Sequence, residues 1–245
     1  MKLSYQENSK LSWKQFQNSN RNGVRSLLGT PYIDLGVPSK DLTPKKENMT
    51  FDQALTKLKH TSPLKITVSG DIGAGKSTFA KHLAEVLDIP RIYIGQFMRE
   101  EAAKRKITLD ALSKLFEQDP SLDRKLDELQ RERSRQVDRA VFEGRTSWHF
   151  VENPTIKLYL AVDPKVATER IWQDRSDKRD QYGTIEALYK ANQKRKESEI
   201  YRYKTYYNIN VYDTNNYDLV IDTTNLSIEQ AFEQAIIQMG EKLDE

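Results

Sequence analysis

From Leu64 onward, apolar residues fall into short runs separated by longer amphipathic stretches. KITVSG (65–70) is a β-branched run closed by glycine, the pattern of a strand buried on both faces. RIYIG (91–95), RAVFEG (139–144), IKLYLAV (156–162) and DLVIDT (218–223) repeat that pattern. Between the first two runs, Phe79, Leu83, Val86 and Leu87 recur at three- and four-residue spacing, so Ser77 to Leu87 predicts a helix. Two longer helical stretches follow, at about 96–138 and about 165–217. Asp119 is placed to cap the last helix of the first stretch, and Pro120 suits its first turn. Strands alternating with helices predict an α/β fold with a parallel sheet and right-handed crossovers. Two helical inserts on a five-strand sheet further predict an enzyme that closes around two ligands.

Ahead of this region the pattern is different. Residues 1–49 are rich in Asn, Ser, Gln, Lys and Pro, with breakers at Gly23, Gly29, Pro31, Gly36, Pro38 and Pro44. They predict an irregular stretch. Thr50 then reads as an N-cap for a short helix with Phe51, Ala54, Leu55 and Leu58 on one face. The expected organisation is a basic extension over 1–60, with a helix near 50–59, and a main domain over 61–245.

At 245 residues with 37% hydrophobic and 31% charged residues, the chain has room for one sizeable domain and an appendage. The net charge of +3 gives no overall case for nucleic acid as a partner. It is unevenly placed, since residues 1–60 hold ten Lys/Arg against five Asp/Glu. There is no cysteine, which excludes disulfides and thiolate metal sites and suits a reducing cytoplasm. No apolar run approaches the ~18 residues of a membrane span. The first residues lack a signal-peptide core, although Met1 to Ile33 carries five basic residues and only Glu7 as an acid. His60, His82 and His149 are isolated, without metal-ligand spacing. The tyrosines from Tyr201 to Tyr217 read as packing and rim residues, not as a base-stacking platform.

Residues 70–77 supply the chemistry. Gly70-Asp71-Ile72-Gly73-Ala74-Gly75-Lys76-Ser77, continued by Thr78, fits G-x-x-x-x-G-K-[ST] between a predicted strand and a predicted helix. The glycines let successive N–H groups converge on phosphate oxygens, and the helix turns its positive end to the same anion. Lys76 would reach the β- and γ-phosphates of ATP, and the Ser77 hydroxyl would ligate Mg²⁺. Glu143 ends the third strand beside this loop and is a candidate to hold Mg²⁺ through water.

The ordered series ITVSGDIGAGKST, IGQFMR, DRKLDE, VFEGR, IKLYLAVDP, ATERIWQDR, KRKESEIYRY and YDLVID resembles the cytidylate kinases. These belong to the nucleoside monophosphate kinases of the P-loop class, and the likeness is to their compact archaeal-type form. It runs from Leu64 to about Leu226, two thirds of the chain. It implies a P-loop fold with a five-stranded parallel sheet in the order 2-3-1-4-5, an acceptor-binding insert (about 96–138) and a lid (about 170–205). It also implies transfer of a phosphoryl group from ATP, with Mg²⁺, to CMP or dCMP by a cytoplasmic monomer. By the same resemblance Arg99 grips the acceptor phosphate and Arg145 contacts the same nucleotide. Arg170 and Arg175 serve the ATP side as lid arginines. Arg195 and Arg202 contact the acceptor or transferring phosphate, and Glu199 lies near the ribose. Arg195, Glu199 and Arg202 are spaced i, i+4, i+7 and so share a helix face. Arg124 and Asp127 fall on the insert helix where the family approaches the base, and Gly144 at the strand end is expected to bind the same nucleotide.

Three positions depart from the pattern. Lys76 stands where archaeal members often have threonine. Ile94 occupies the place of a serine seen in many bacterial members. Thr146 replaces an aspartate after the family arginine. UMP and other monophosphates therefore stay open as acceptors. Competing readings are a P-loop kinase for a small acceptor such as shikimate, and a nucleotide-dependent switch whose basic extension recruits a partner or second subunit.

Overall fold

The computed structural model describes residues 49–107, 109–174 and 182–245. The irregular stretch expected before Thr50 and the candidate Arg175 lie outside these residues. The described part belongs to one compact unit, Glu47–Glu245.

Five strands build one parallel sheet: β1 (Leu64–Gly70), β2 (Arg91–Tyr93), β3 (Arg139–Glu143), β4 (Ile156–Ala161) and β5 (Leu219–Asp222), in the order β2-β3-β1-β4-β5. This is the order the resemblance implies. β1 is central and its apolar side chains Leu64, Ile66 and Val68 have no exposure, as a doubly covered parallel strand requires. The register sets Val68 opposite Glu143, Tyr93 opposite Glu143, and Gly70 opposite Leu160. Gly70, Glu143 and Tyr93 therefore end at one rim, the carboxyl end of the sheet where the chain order switches sides. Ligands of open α/β sheets bind at that place.

Helix α1 (Phe51–His60) starts at a capping box in which Thr50 accepts from the Gln53 N–H and the Gln53 side chain accepts from the Thr50 N–H. α2 (Lys76–Leu87) follows the glycine loop and buries Phe79, Ala80, Leu83, Ala84 and Leu87. RIYIG divides: only Arg91–Tyr93 pairs as a strand, and Ile94–Arg105 forms α3. An edge strand of three residues gains little from further pairing, while Ile94 gains burial as the first residue of the helix.

α4 (Leu109–Gln118) and α5 (Pro120–Arg135) complete the first insert. Asp119 caps α5 by accepting the Ser121 N–H at 2.9 Å. Ala102, Leu112, Phe116 and Leu122 form a small core of their own under this insert. α6 (Ser147–Phe150) is one turn after β3. α7 (Pro164–Gln173) precedes the long α8 (Ile185–Tyr207), and α9 (Ile228–Lys242) closes the chain. α9 packs on α1, where Gly240 sits so close to Ala54 that an added Cβ would lie 2.5 Å from the Ala54 Cβ.

Candidate active site

The glycine loop is shaped by what surrounds it. Gly70 has φ +145°, and a Cβ there would sit 2.2 Å from the Leu160 carbonyl oxygen of β4. Gly73 and Gly75 have φ near +80°, a region that side chains disfavour. Ala74 is buried and Ile72 half-buried, while Thr78 is exposed on the first turn of α2. Lys76 opens α2, and its ammonium donates to the Gly70 oxygen at 2.9 Å and to the Asp71 oxygen. Burial, and then the neighbouring Arg145 guanidinium, push the Lys76 pKa well below its ordinary value. Ser77 Oγ donates to Glu143 Oε1 at 2.6 Å. The second Glu143 oxygen accepts from Arg91, whose Nε is 2.9 Å away.

Opposite the loop, α8 brings a charged cluster. Arg145 donates to the Gly70 oxygen at 2.6 Å and ion-pairs with Glu199. Glu199 is 4% exposed and also accepts from Arg195 Nε at 3.0 Å and from the Tyr212 hydroxyl. Burial alone would raise the Glu199 pKa, but Arg145, Arg195 and Tyr212 outweigh it and hold it at about 2. Arg145 is half-buried, and Glu199 overrides the desolvation to keep it firmly charged. Arg202, from the same helix face, instead reaches α5, with its Nε 3.8 Å from Asp123 Oδ2. That separation exceeds hydrogen-bond length, so desolvation wins and the Asp123 pKa rises to about 6.

A buried polar network joins the insert to the end of β3. Gln130, with no exposure, donates to Asp127 Oδ1 and Thr146 Oγ1 and accepts from Ser147 Oγ at 2.8 Å. Asp127 also accepts from Thr146 and from the Tyr207 hydroxyl of α8. Burial lifts its pKa to about 7, helped by Asp123 and opposed by the two hydroxyls. An acid whose folded pKa is raised stabilises the fold below its ordinary pKa near 3.8, and that contribution is lost as pH climbs through about 7. Asp127→Asn, which cannot ionise, is therefore expected to raise the unfolding midpoint at pH 8, by a stability gain on the order of 1–3 kcal/mol. Denaturant titrations at pH 8 and pH 4.5 check this, since an equal gain at both would sink it.

The cytidylate kinase-like family model matches residues 65–225. The chain belongs to the cytidylate kinase-like family. The cytidylate kinase of Methanospirillum hungatei is 32% identical over 167 residues, 68% of this chain and 91% of that relative. The cytidylate kinase of Methanothrix thermoacetophila is 39% identical over 158 residues, 64% of this chain and 87% of that one. Among solved structures, shikimate kinase from Bacteroides thetaiotaomicron aligns with a TM-score of 0.50 at 16% identity, covering 74% of this chain and 99% of that one. A protein from Eubacterium ventriosum aligns with a TM-score of 0.52, also at 16% identity, covering 72% and 98%. At such identities the likeness concerns the fold.

Of the site residues expected in this cytidylate kinase-like chain, the structure gathers Gly70 to Ser77, Glu143, Gly144, Arg145, Arg195 and Glu199 at one rim. Arg202 and Asp127 stand beside them in the layer between α5 and α8. Arg170 goes elsewhere: its guanidinium donates to the Thr223 oxygen at 2.7 Å and the Thr224 oxygen at 3.2 Å, holding the turn after β5. Arg99 is exposed on α3 with its guanidinium 5.3 Å from the Tyr93 ring, and Arg124 is exposed on α5. Arg91, Asp123, Gln130 and Lys196 belong to no motif that marks them, and Tyr207 and Tyr212, expected as packing and rim residues, bond Asp127 and Glu199. Arg91 stood beside a strand end and had a signal in its charge; Asp123, Gln130 and Lys196 meet partners remote in the chain.

Proposed function

We propose that this chain is a cytidylate kinase, moving the γ-phosphoryl group of ATP onto CMP and dCMP to give ADP and CDP or dCDP. The observation that carries this reading is the cluster beside Lys76 in which a buried Glu199 holds a half-buried Arg145 and an exposed Arg195. It holds fixed positive charge where an acceptor phosphate would approach a loop-bound triphosphate. A monophosphate is already a competent nucleophile, its second pKa lying near ~6, so alignment and charge suffice and no strong base is needed.

The glycine loop would cradle the ATP phosphates, and Lys76 would turn from the Gly70 and Asp71 carbonyls to their oxygens. Magnesium fits the pair of oxygens that Ser77 and Glu143 bring together, with solvent completing the shell; among the described residues no group of three acids or histidines could hold it alone. When bound, it would neutralise charge on the β- and γ-oxygens. Arg145 and Arg195 would hold the acceptor phosphate, and Arg202, with Arg99 from α3, would complete its surround. Glu199 would face the ribose, and Asp127 with Arg124 the base edge, the carboxylate accepting from the exocyclic amine of cytosine. We read about 96–138 as the acceptor insert and about 170–205 as the lid. The unit works as a monomer in the cytoplasm, and residues 1–60 are an extension. No helix among the described residues is long and apolar enough to cross a membrane.

The test is an acceptor panel with ATP and Mg²⁺. CMP and dCMP are expected to drive ADP formation, with UMP about 100-fold poorer because a site built for an amine is left unpaired by a carbonyl. Stimulation by shikimate and by no nucleotide would replace this reading with that of a small-acceptor kinase.

A further inference from the structure

Lys196 lies on α8, next to Arg195 and one turn before Glu199. Its ammonium is 3.2 Å from Asp71 Oδ1 and 4.5 Å from the centre of the Tyr212 ring. Asp71 is the second residue of the glycine loop. Its other oxygen accepts the Val162 N–H at 3.2 Å just past β4. The Asp71 carbonyl meanwhile takes the Lys76 ammonium. One short side chain thus joins the exit of β4, the phosphate loop and α8. The Lys196 and Asp71 side chains are 34% and 18% exposed, so the pair is partly shielded from water. Tyr212 extends the connection, since its ring lies under both Lys196 and Arg145 while its hydroxyl bonds Glu199.

We propose that Lys196 is a positioning residue that latches α8 to the phosphate loop through Asp71, fixing the face bearing Arg195, Glu199 and Arg202 relative to the bound triphosphate. The inference rests on the kinase reading above for its effect on turnover. A loose α8 would still carry its arginines but would present them out of line, and misplacement of about 1 Å at a reacting centre can cost ~100-fold.

Lys196→Met is therefore expected to lower kcat about tenfold or more while leaving the Kd for ATP, measured by calorimetry, within about threefold. Lys196→Arg should restore most of the rate. Asp71→Asn, which keeps an acceptor for Val162, should match the loss, and the double variant should be no slower than the worse single one. Multiplying losses in the double variant, or a large rise in the Kd for ATP with Lys196→Met, would show that Lys196 acts on phosphate by itself and overturn the latch. An unchanged kcat would overturn it as well. Hydrogen exchange separates this from a failure of the kinase reading. Amides of residues 71–75 and 190–200 should exchange faster in Lys196→Met even if no acceptor is turned over, and unaltered exchange would end the proposal.

Discussion

Arg145→Met is expected to abolish nearly all acceptor-dependent ADP formation, with kcat/KM falling about 10³-fold or more. The same variant should unfold more easily, by about 3–5 kcal/mol, because it strands a buried carboxylate. Arg145 is both a cation that shares the Gly70 carbonyl with Lys76 and the principal counter-charge of Glu199. With Arg145 gone, Glu199 at 4% exposure keeps only Arg195 and Tyr212. The sign of its pH dependence follows from its depressed pKa. Glu199 stabilises the wild-type fold above its ordinary pKa near 4.5, and that contribution is lost as pH falls towards about 2. Arg145→Met should flatten this acid limb. Adding Glu199→Gln should return much of the lost stability at pH 7 and none of the activity, which separates the two roles. Turnover by Arg145→Met within tenfold of wild type would remove Arg145 from the phosphate-handling set.

The second large effect concerns backbone geometry. Gly70→Ala is expected to cost about 4 kcal/mol or more and to eliminate ATP binding, whereas Gly75→Ala should cost only about 1–2 kcal/mol. Both glycines have positive φ, but a Cβ on Gly70 would drive into the Leu160 carbonyl at 2.2 Å, and one on Gly75 meets nothing within 4 Å. The first substitution would part β1 from β4 at the register point where Gly70 faces Leu160. The second would add only left-handed strain. Urea midpoints for the two variants check the contrast, and equal losses would mean that φ alone, not the approach of β4, governs the loop.

These glycines also show how much of the architecture was written locally. A β-branched run, a glycine loop and an amphipathic helix are signals carried by adjacent residues, so β1, the loop and α2 are legible in the sequence. RIYIG was legible only in part, because the burial of Ile94 under α3 depends on the insert behind it. Arg170 followed the fourth strand as lid arginines do, yet the carbonyls of Thr223 and Thr224, more than fifty residues away, claim it. Gln130, Tyr207, Tyr212 and Lys196 look like ordinary helix and loop polar residues in the sequence. Two of them are recruited by acids far away in the chain, Tyr207 by Asp127 and Lys196 by Asp71, while Tyr212 turns back to Glu199 across the end of α8. Gln130 has Asp127 one turn away on α5 but is fixed across the interface by Thr146 and Ser147. Buried polar contacts of this kind have no periodicity to read; they are legible only once topology has set α5, α8 and the β3 turn side by side.

The packing of α1 on α9 has a consequence of another kind. The family match begins at residue 65 and ends at residue 225, so it leaves both helices outside. Yet Ala54 and Leu58 are sealed by α9, and Gly240 admits Ala54 only because it has no side chain to refuse it. The beginning and end of the described chain form a clasp, each half apolar and wet without the other. A lineage that lost one helix would be pressed to lose or rebuild its mate, so the two should travel through evolution as a pair even though 167 residues separate them in the chain.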